Sequence, residues 1–180
     1  MFFDTTLGLK ESFTKDIIKR NAVRGVIIKG NKILMIHSNQ GDYKLPGGGI
    51  EQGETHQEAV KREIEEETGY KCKVVNQMIG KVLERKRDKN DNLKCFEMES
   101  FFYCCEVYSK KGIQKLDDYE KDLDFTPIWI DINEAINKNK NLLESDFDIE
   151  NNYLVWVKRE NYVLEQINKL LEKEKIRGEI

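Results

Sequence analysis

The sequence has 180 residues, of which 39% are hydrophobic and 35% are charged, and its formal net charge is −3. This length is enough for one domain with a hydrophobic core. The balance of charge excludes a strongly basic surface for nucleic acid, and no apolar run approaches the roughly 18 residues of a membrane span. The first residues lack the apolar core of a secretory signal. We therefore expect a cytoplasmic protein without a nucleic-acid or membrane partner.

The first regular elements are predicted to be two β-strands that form a hairpin. The runs Ala22–Ile28 and Lys32–His37 are rich in β-branched and other apolar residues, and Gly30 and Asn31 between them are typical of a tight hairpin turn. Arg24 in the first run either reaches an anionic ligand or lies at the edge of a sheet. These runs predict that a β-sheet precedes the first helix.

The second half of the chain predicts more strands and a long C-terminal helix. Strand candidates are Val74–Arg85, Cys95–Tyr108 and Thr126–Ile132, and a short helix follows the last of them. A helix is predicted over about 153–176, where it either caps the domain or mediates a homodimer. We expect residues 1–18 to form an N-terminal extension and residues 19–180 a single domain. The sum is an α/β fold with a mixed sheet and helices on its faces.

The cysteines and histidines do not have the spacing of a zinc site. The four cysteines contain no Cys-x-x-Cys pair, and the chain has two histidines. Cys104 and Cys105 are adjacent in an apolar run, so their side chains are expected on opposite faces of a strand. Reduced core cysteines of a cytosolic protein are therefore the favoured interpretation.

An acidic helix is predicted from Thr55 to Thr68. Thr55 and Glu58 have the spacing of a capping box, in which each side chain accepts a hydrogen bond from a backbone amide at the helix start. Gly69 stands where a left-handed residue would end the helix. Good helix formers and no proline lie between these two signals.

The periodicity of this helix places carboxylates on the face that meets the protein. At about 100° per residue, Glu63 and Glu67 fall on one face and Glu66 at its edge. The apolar residues of that same face are Ala59, Val60 and Ile64. A solvated run of charge would explain the glutamates of the opposite face. It does not explain inward carboxylates, since these are costly unless they are paired or bind metal.

A hard cation would keep such carboxylates ionised, and the scarcity of histidine favours Mg²⁺ or Mn²⁺. The loop before the helix fits this hypothesis. Pro46 stiffens it, and Gly47, Gly48 and Gly49 let the backbone pass close to the helix, where its amides and carbonyls can reach a metal or phosphate. Loop and helix together indicate phosphate chemistry.

These residues resemble the signature of the Nudix (MutT-like) hydrolases. That signature is Gly, five residues, Glu, seven residues, and then Arg-Glu-apolar-x-Glu-Glu-x-Gly-apolar. Here the positions are filled by Gly48, Glu54 and the segment Arg62–Tyr70, which reads REIEEETGY. The one departure is Tyr70, an aromatic residue where an aliphatic one is usual. The resemblance implies a Nudix-type α/β/α sandwich with a mixed sheet, to which this chain adds a C-terminal helix.

The resemblance also implies roles for single residues. The catalytic and metal-binding set would be Glu63, Glu66 and Glu67, with Glu63 close to the general base and the backbone carbonyl of Gly47 as a further ligand. Supporting roles fall to Gly48, Glu54 and Arg62, the last two as an ion pair that braces the loop against the helix. Many family members take another acid from a downstream loop, for which Glu120 is the candidate here. A solvated acidic loop is the alternative.

The expected activity is metal-dependent hydrolysis of a phosphoanhydride bond in a nucleoside diphosphate linked to another moiety. Nucleoside triphosphates and ADP-ribose-type molecules are the leading small-molecule substrates. The alternative is a non-catalytic nucleotide-binding or regulatory module on the same fold. The complete set of glutamates argues against that alternative, because a module that only binds would not need all three.

Overall fold

The computed structural model describes residues 1–88, 90–145 and 153–177. Its elements in chain order are β1 (Phe3–Gly8), β2 (Ile17–Val26), β3 (Ile28–Lys29), β4 (Lys32–His37), β5 (Tyr43–Lys44), α1 (His56–Thr68), β6 (Tyr70–Arg87), β7 (Cys95–Lys111), α2 (Asp118–Asp122), β8 (Thr126–Asp131), α3 (Ile132–Glu144) and α4 (Tyr153–Arg177). They belong to two compact units, Met1–Ile27 with Pro46–Lys115, and Ile28–Leu45 with Leu116–Ile180. The single domain expected over residues 19–180 stays a prediction.

The first unit is built on a mixed four-stranded sheet with the order β1-β6-β7-β2. The long strands β6 and β7 run antiparallel, as consecutive strands joined by a short turn can. The outer strands β1 and β2 each run parallel to their neighbour. The predicted N-terminal extension therefore contains a strand of the sheet, since Phe3 pairs with Gly80 and its ring packs on Phe102 at 5.6 Å.

The helix α1 belongs to this unit and has the predicted ends. Thr55 accepts a hydrogen bond from the backbone amide of Glu58, and the Glu58 carboxylate accepts one from the backbone amide of Thr55. At the other end Gly69 has φ 74° and donates to the carbonyl of Glu65. Both signals were local in sequence, which explains why the predicted bounds were right.

The second unit holds an antiparallel sheet in which β4 pairs with β3, β5 and β8. The predicted hairpin is present, with Ile28 opposite Ile33 and Gly30 at φ 61° in the turn. The predicted strand Ala22–Ile28 was wrong as one strand. It breaks after Val26, so that β2 joins the sheet of the first unit and only β3 continues into the hairpin.

The helices of the second unit are α2, α3 and α4. The Asp131 side chain accepts hydrogen bonds from two amides in the first turn of α3, which starts that helix directly after β8. Buried apolar side chains lie along α4 at helical spacing: Val157, Val163, Leu164 and Ile167. In the part of the chain that the structure describes, no helix combines the length and the apolarity needed to cross a membrane.

The four cysteines lie in β6 and β7, and none of them forms a disulfide. Cys95 and Cys105 are buried, whereas Cys72 and Cys104 are half-buried. The difference between the adjacent Cys104 and Cys105 follows from the alternation of side chains along a strand. A hydrogen bond with the neighbouring Cys72 thiol and, next, burial raise the pKa of the Cys105 thiol, which keeps it protonated at neutral pH.

Candidate active site

The inward face of α1 carries two buried carboxylates. Glu63 is 8% exposed and Glu67 is 1% exposed, and they share this face with Ala59, Val60 and Ile64. Carboxylate oxygens of Glu63 and Glu67 lie within 4.8 Å of one another. Glu66 is half-buried beside them. Glu63 and Glu67 therefore lie on the inward face of α1, as the helical periodicity predicted.

The glycine loop runs along β2 and is fixed to it by backbone hydrogen bonds. The Val23 amide donates to the Gly48 carbonyl at 2.9 Å, and the Gly25 amide donates to the Pro46 carbonyl at 2.8 Å. On its other side the loop contacts α1, since the Gly47 amide donates to Glu67 Oε2 at 2.8 Å. The loop thus joins strand and helix through its backbone alone.

Two of the glycines are required by this arrangement. Gly47 has φ 147°, a conformation that side chains disfavour, and a Cβ there would collide with the Val23 carbonyl. A Cβ on Gly48 would lie 2.5 Å from both carboxylate oxygens of Glu63. Gly48 therefore provides the space in which the Glu63 carboxylate sits against the loop.

Arg62 connects the loop to the carboxylates. Its guanidinium donates to both oxygens of Glu54, at 2.8 Å and 2.9 Å, and to the Gly49 carbonyl at 3.0 Å. One of its nitrogens also donates to Glu63 Oε1 at 2.7 Å and to Glu66 Oε2 at 3.1 Å. The expected Arg62–Glu54 pair is present, and it lowers the pKa of the Glu54 carboxyl.

The environment of Glu63 disfavours its charged form. Burial and, next, the negative charge of Glu67 raise the pKa of the Glu63 carboxyl, although Arg62 and Arg24 oppose the shift. Two buried carboxylates at this distance repel each other unless a cation lies between or beside them. The atoms that could bind a cation here are all oxygens, and oxygen ligands suit Mg²⁺ or Mn²⁺. The residues present therefore fit the divalent cation that the signature implies.

Arg24 and Arg20 add positive charge beside the loop. Arg24 is buried in β2, and its guanidinium donates to the Gly47 carbonyl, the expected metal ligand. That oxygen has a second lone pair for a further contact. The Arg20 guanidinium lies over Gly49, 3.0 Å from where a Cβ would stand. The sequence signal that could have found this pair is their spacing of four along a strand, which puts both side chains on one face.

Glu120 lies in the second unit, in α2. Its amide and carboxylate form a capping box with Asp117, whose side chain accepts from the Glu120 amide at 2.9 Å. Its expected role as a further metal ligand stays a prediction. The short helix itself was missed, because an acidic stretch of this length has little helical periodicity.

Comparison with known proteins gives the class to which this fold and site belong. The NUDIX domain family matches residues 18–152. The chain belongs to the Nudix family, and the membership that the signature predicted is confirmed.

Among curated proteins, the ADP-ribose pyrophosphatase of Methanocaldococcus jannaschii is 54% identical over 57 residues, which are 29% of this chain and 34% of that relative. The chain thus matches about a third of the length of this relative.

A solved structure shows the same fold. A NUDIX hydrolase from Nitrosomonas europaea superposes with a TM-score of 0.54 at 19% identity, covering 81% of this chain and 90% of that one. A MutT NUDIX hydrolase from Burkholderia pseudomallei gives a TM-score of 0.48 at 21% identity, covering 64% and 85%. The predicted Nudix-type α/β fold with a mixed sheet and a C-terminal helix is confirmed.

Proposed function

We propose that this protein hydrolyses a phosphoanhydride bond in a nucleoside diphosphate linked to another moiety, with a divalent metal ion. The observation that carries the proposal is the buried pair Glu63 and Glu67, with oxygens within 4.8 Å, against a glycine loop. A structural role explains this pair poorly, because burying two like charges costs stability. A catalytic role explains it, since the cost is recovered when the metal and the diphosphate bind.

The residues that would hold the metal are Glu63, Glu66, Glu67 and the carbonyl of Gly47. When bound, the metal neutralises charge on the diphosphate and lowers the pKa of an attacking water. Glu120 remains a candidate for a further ligand.

The protein itself orients these groups and handles the proton. Arg62 holds Glu63 and Glu66 through one nitrogen, and the Gly47 amide fixes one oxygen of Glu67. The raised pKa of the Glu63 carboxyl suits a base that takes a proton from water at one of its oxygens. Arg24 supplies a positive charge next to the loop, where the diphosphate oxygens would lie.

ADP-ribose is the first substrate to test. The support is the 54% identity with an ADP-ribose pyrophosphatase, although the alignment spans 57 residues. Nucleoside triphosphates, the other leading class of substrate, belong in the same experiment. Nucleotide sugars, dinucleoside polyphosphates and NADH complete the panel.

The decisive experiment measures product release with Mg²⁺, with Mn²⁺ and with EDTA, for the wild type and two variants. Glu63→Gln keeps the shape of the side chain and removes its charge, whereas Glu144→Gln makes the same change at an exposed position in α3. We expect turnover of one panel compound with metal, a loss of roughly 100-fold to 10,000-fold in Glu63→Gln, and no loss in Glu144→Gln.

Other results would change the conclusion. Turnover of Glu63→Gln at the wild-type rate would remove Glu63 from the mechanism. Metal-dependent binding of a panel nucleotide without any turnover would favour the regulatory module over the hydrolase.

A further inference from the structure

A cleft opens in the first unit, at the C-terminal end of α1. Its volume is about 680 Å³, and side chains of Lys71, Tyr108, Lys110, Ile113 and Lys115 line it. These residues come from the start of β6, the end of β7 and the segment that follows β7. None of the glutamates assigned to the metal lines this cleft. The volume falls in the range of small-molecule sites.

The cleft is positively charged. Lys71, Lys110 and Lys115 are exposed, and none of the three ammonium groups forms an ion pair with any residue that the structure describes. Glu65 is the single acidic residue among those that line the cleft. Three lysines against one glutamate, in a chain whose net charge is −3, make this cleft a local site for an anion.

The cleft also exposes apolar surface. Tyr108 is 54% exposed and Ile113 is 89% exposed, so a ring and a branched aliphatic side chain stand in water beside the lysines. Apolar groups beside positive charges in a concave surface are typical of a binding site for a ligand that has both a flat ring and an anionic group. The Tyr108 ring provides a surface on which an aromatic ring can stack.

The floor of the cleft is held by hydrogen bonds to the last turn of α1. The Gly112 amide donates to the Gly69 carbonyl at 2.7 Å, and the Lys115 amide donates to the Glu66 carbonyl at 2.8 Å. The Gln114 side chain donates to the Glu67 carbonyl at 2.6 Å. The cleft is therefore formed before a ligand arrives, and its floor contacts the backbone of the glutamates in the candidate active site.

We propose that this cleft is a second binding site, which takes a small phosphorylated aromatic molecule of the nucleoside monophosphate type. The phosphate lies between the lysines, and the base stacks on Tyr108 and contacts Ile113. The site is separate from the metal-binding carboxylates, so binding does not require a divalent cation.

The test is binding of AMP to the full chain by isothermal titration calorimetry, in EDTA and at low ionic strength. Inorganic phosphate and adenosine are measured alongside AMP. The variants are Tyr108→Ala and the double charge reversal Lys71→Glu with Lys110→Glu. The matched control is the reversal Lys29→Glu with Lys32→Glu, two exposed lysines of the β3–β4 hairpin. Melting temperatures confirm that each variant is folded.

We expect AMP to bind the wild type more tightly than phosphate or adenosine does. The cleft reversal should weaken AMP binding by at least about tenfold, and Tyr108→Ala by about fivefold, while the hairpin control changes it less than about twofold. Failure of AMP to bind in EDTA would overturn the proposal, as would equal affinity in the cleft and hairpin variants. A cleft reversal that changes the oligomeric state and leaves AMP affinity unchanged would assign the surface to a second copy of the chain instead.

Discussion

The backbone amide of Gly47 donates a hydrogen bond of 2.8 Å to the Glu67 carboxylate, which is 1% exposed. This bond joins the loop and the helix of the Nudix signature at one point. The same carboxylate is a proposed ligand of the metal ion. The Glu67 side chain therefore has both a structural contact and a proposed chemical role. Two substitutions of Glu67 can distinguish the contribution of the contact from that of the charge.

Glu67→Gln should keep the contact and lose the charge, because an amide oxygen also accepts a hydrogen bond. Glu67→Ala should lose both and leave the Gly47 amide without its partner, at a cost of about 1–3 kcal/mol. We expect both variants to lose Mg²⁺-dependent turnover. In chemical denaturation the alanine variant should be clearly less stable than the glutamine variant. Equal stability of the two would mean that the loop does not depend on this bond.

Gly48→Ala tests the close approach of loop and helix. The new methyl group would lie 2.5 Å from both oxygens of Glu63 and would displace that carboxylate. Turnover should fall by at least about tenfold, since a displacement of roughly 1 Å can cost about that much or more. Gln52→Ala in the same loop is the control, because that side chain is exposed. Steady-state kinetics with the active substrate would show the difference, and normal turnover in Gly48→Ala would contradict this view of Glu63.

Gly69→Ala tests the end of α1. Gly69 has φ 74°, and a Cβ there would lie 2.6 Å from the Gly112 carbonyl. Gly30→Ala is the matched control, since Gly30 has φ 61° but faces open space. A left-handed alanine costs roughly 1–2 kcal/mol at either position. The collision should make the loss in Gly69→Ala larger by about 1 kcal/mol or more, measured by urea denaturation. Equal losses would show that the contact with Gly112 relaxes freely.

Glu63→Gln should stabilise the metal-free protein. Burial and the charge of Glu67 raise the pKa of the Glu63 carboxyl, so at neutral pH its ionisation works against folding. Removing the charge should stabilise the protein by about 1 kcal/mol, which raises the melting temperature by about 2–4 °C for a chain of this size. Mg²⁺ should raise the melting temperature of the wild type further, and the variant should lose that rise. A lower melting temperature in EDTA would show that Arg62 and Arg24 already compensate the charge.

Arg159 and Glu160 form a fully buried ion pair in α4, with nitrogen and oxygen 2.7 Å apart. The other oxygen of Glu160 accepts a hydrogen bond from the Leu45 amide at 2.9 Å. Glu160→Ala should destabilise the protein by about 3–5 kcal/mol, because it leaves the Arg159 charge buried without this partner. The double variant Arg159→Met with Glu160→Gln should lose much less than the sum of the single changes. Additive losses in urea denaturation would show that the two charges act independently.

The features that the sequence predicted well depend on contacts between near neighbours. The ends of α1 come from a capping box and a left-handed glycine, each made within a few residues. The inward face of α1 follows from helical periodicity. The Nudix signature is likewise a continuous stretch of sequence, and for this reason the carboxylates and the bracing pair Arg62–Glu54 could be placed before the structure was known.

The features that were not predicted from the sequence depend on contacts between residues far apart in the chain. The strand β1 exists because it pairs with β6, and nothing within residues 1–18 indicates that partner. The apolar run Ala22–Ile28 is divided because its first part pairs with β7 and its last residue pairs with β4, in a different sheet. Arg24 was left with two interpretations, since its contact with the Gly47 carbonyl needs the loop to fold back along β2.

The parallel pairing of β1 and β2 has a consequence for how the chain folds. The β6–β7 hairpin and α1 are made of contacts between residues close in sequence, so they can form early. Phe3 in β1 can pair only after Gly80 has been synthesised, and Ile17 in β2 can pair only after Cys95 has been synthesised. During synthesis β1 and β2 therefore leave the ribosome before their partner strands and can dock only after β6 and β7 have emerged. Until then the outer edges of β6 and β7 are unpaired, and unpaired edges of this kind favour aggregation.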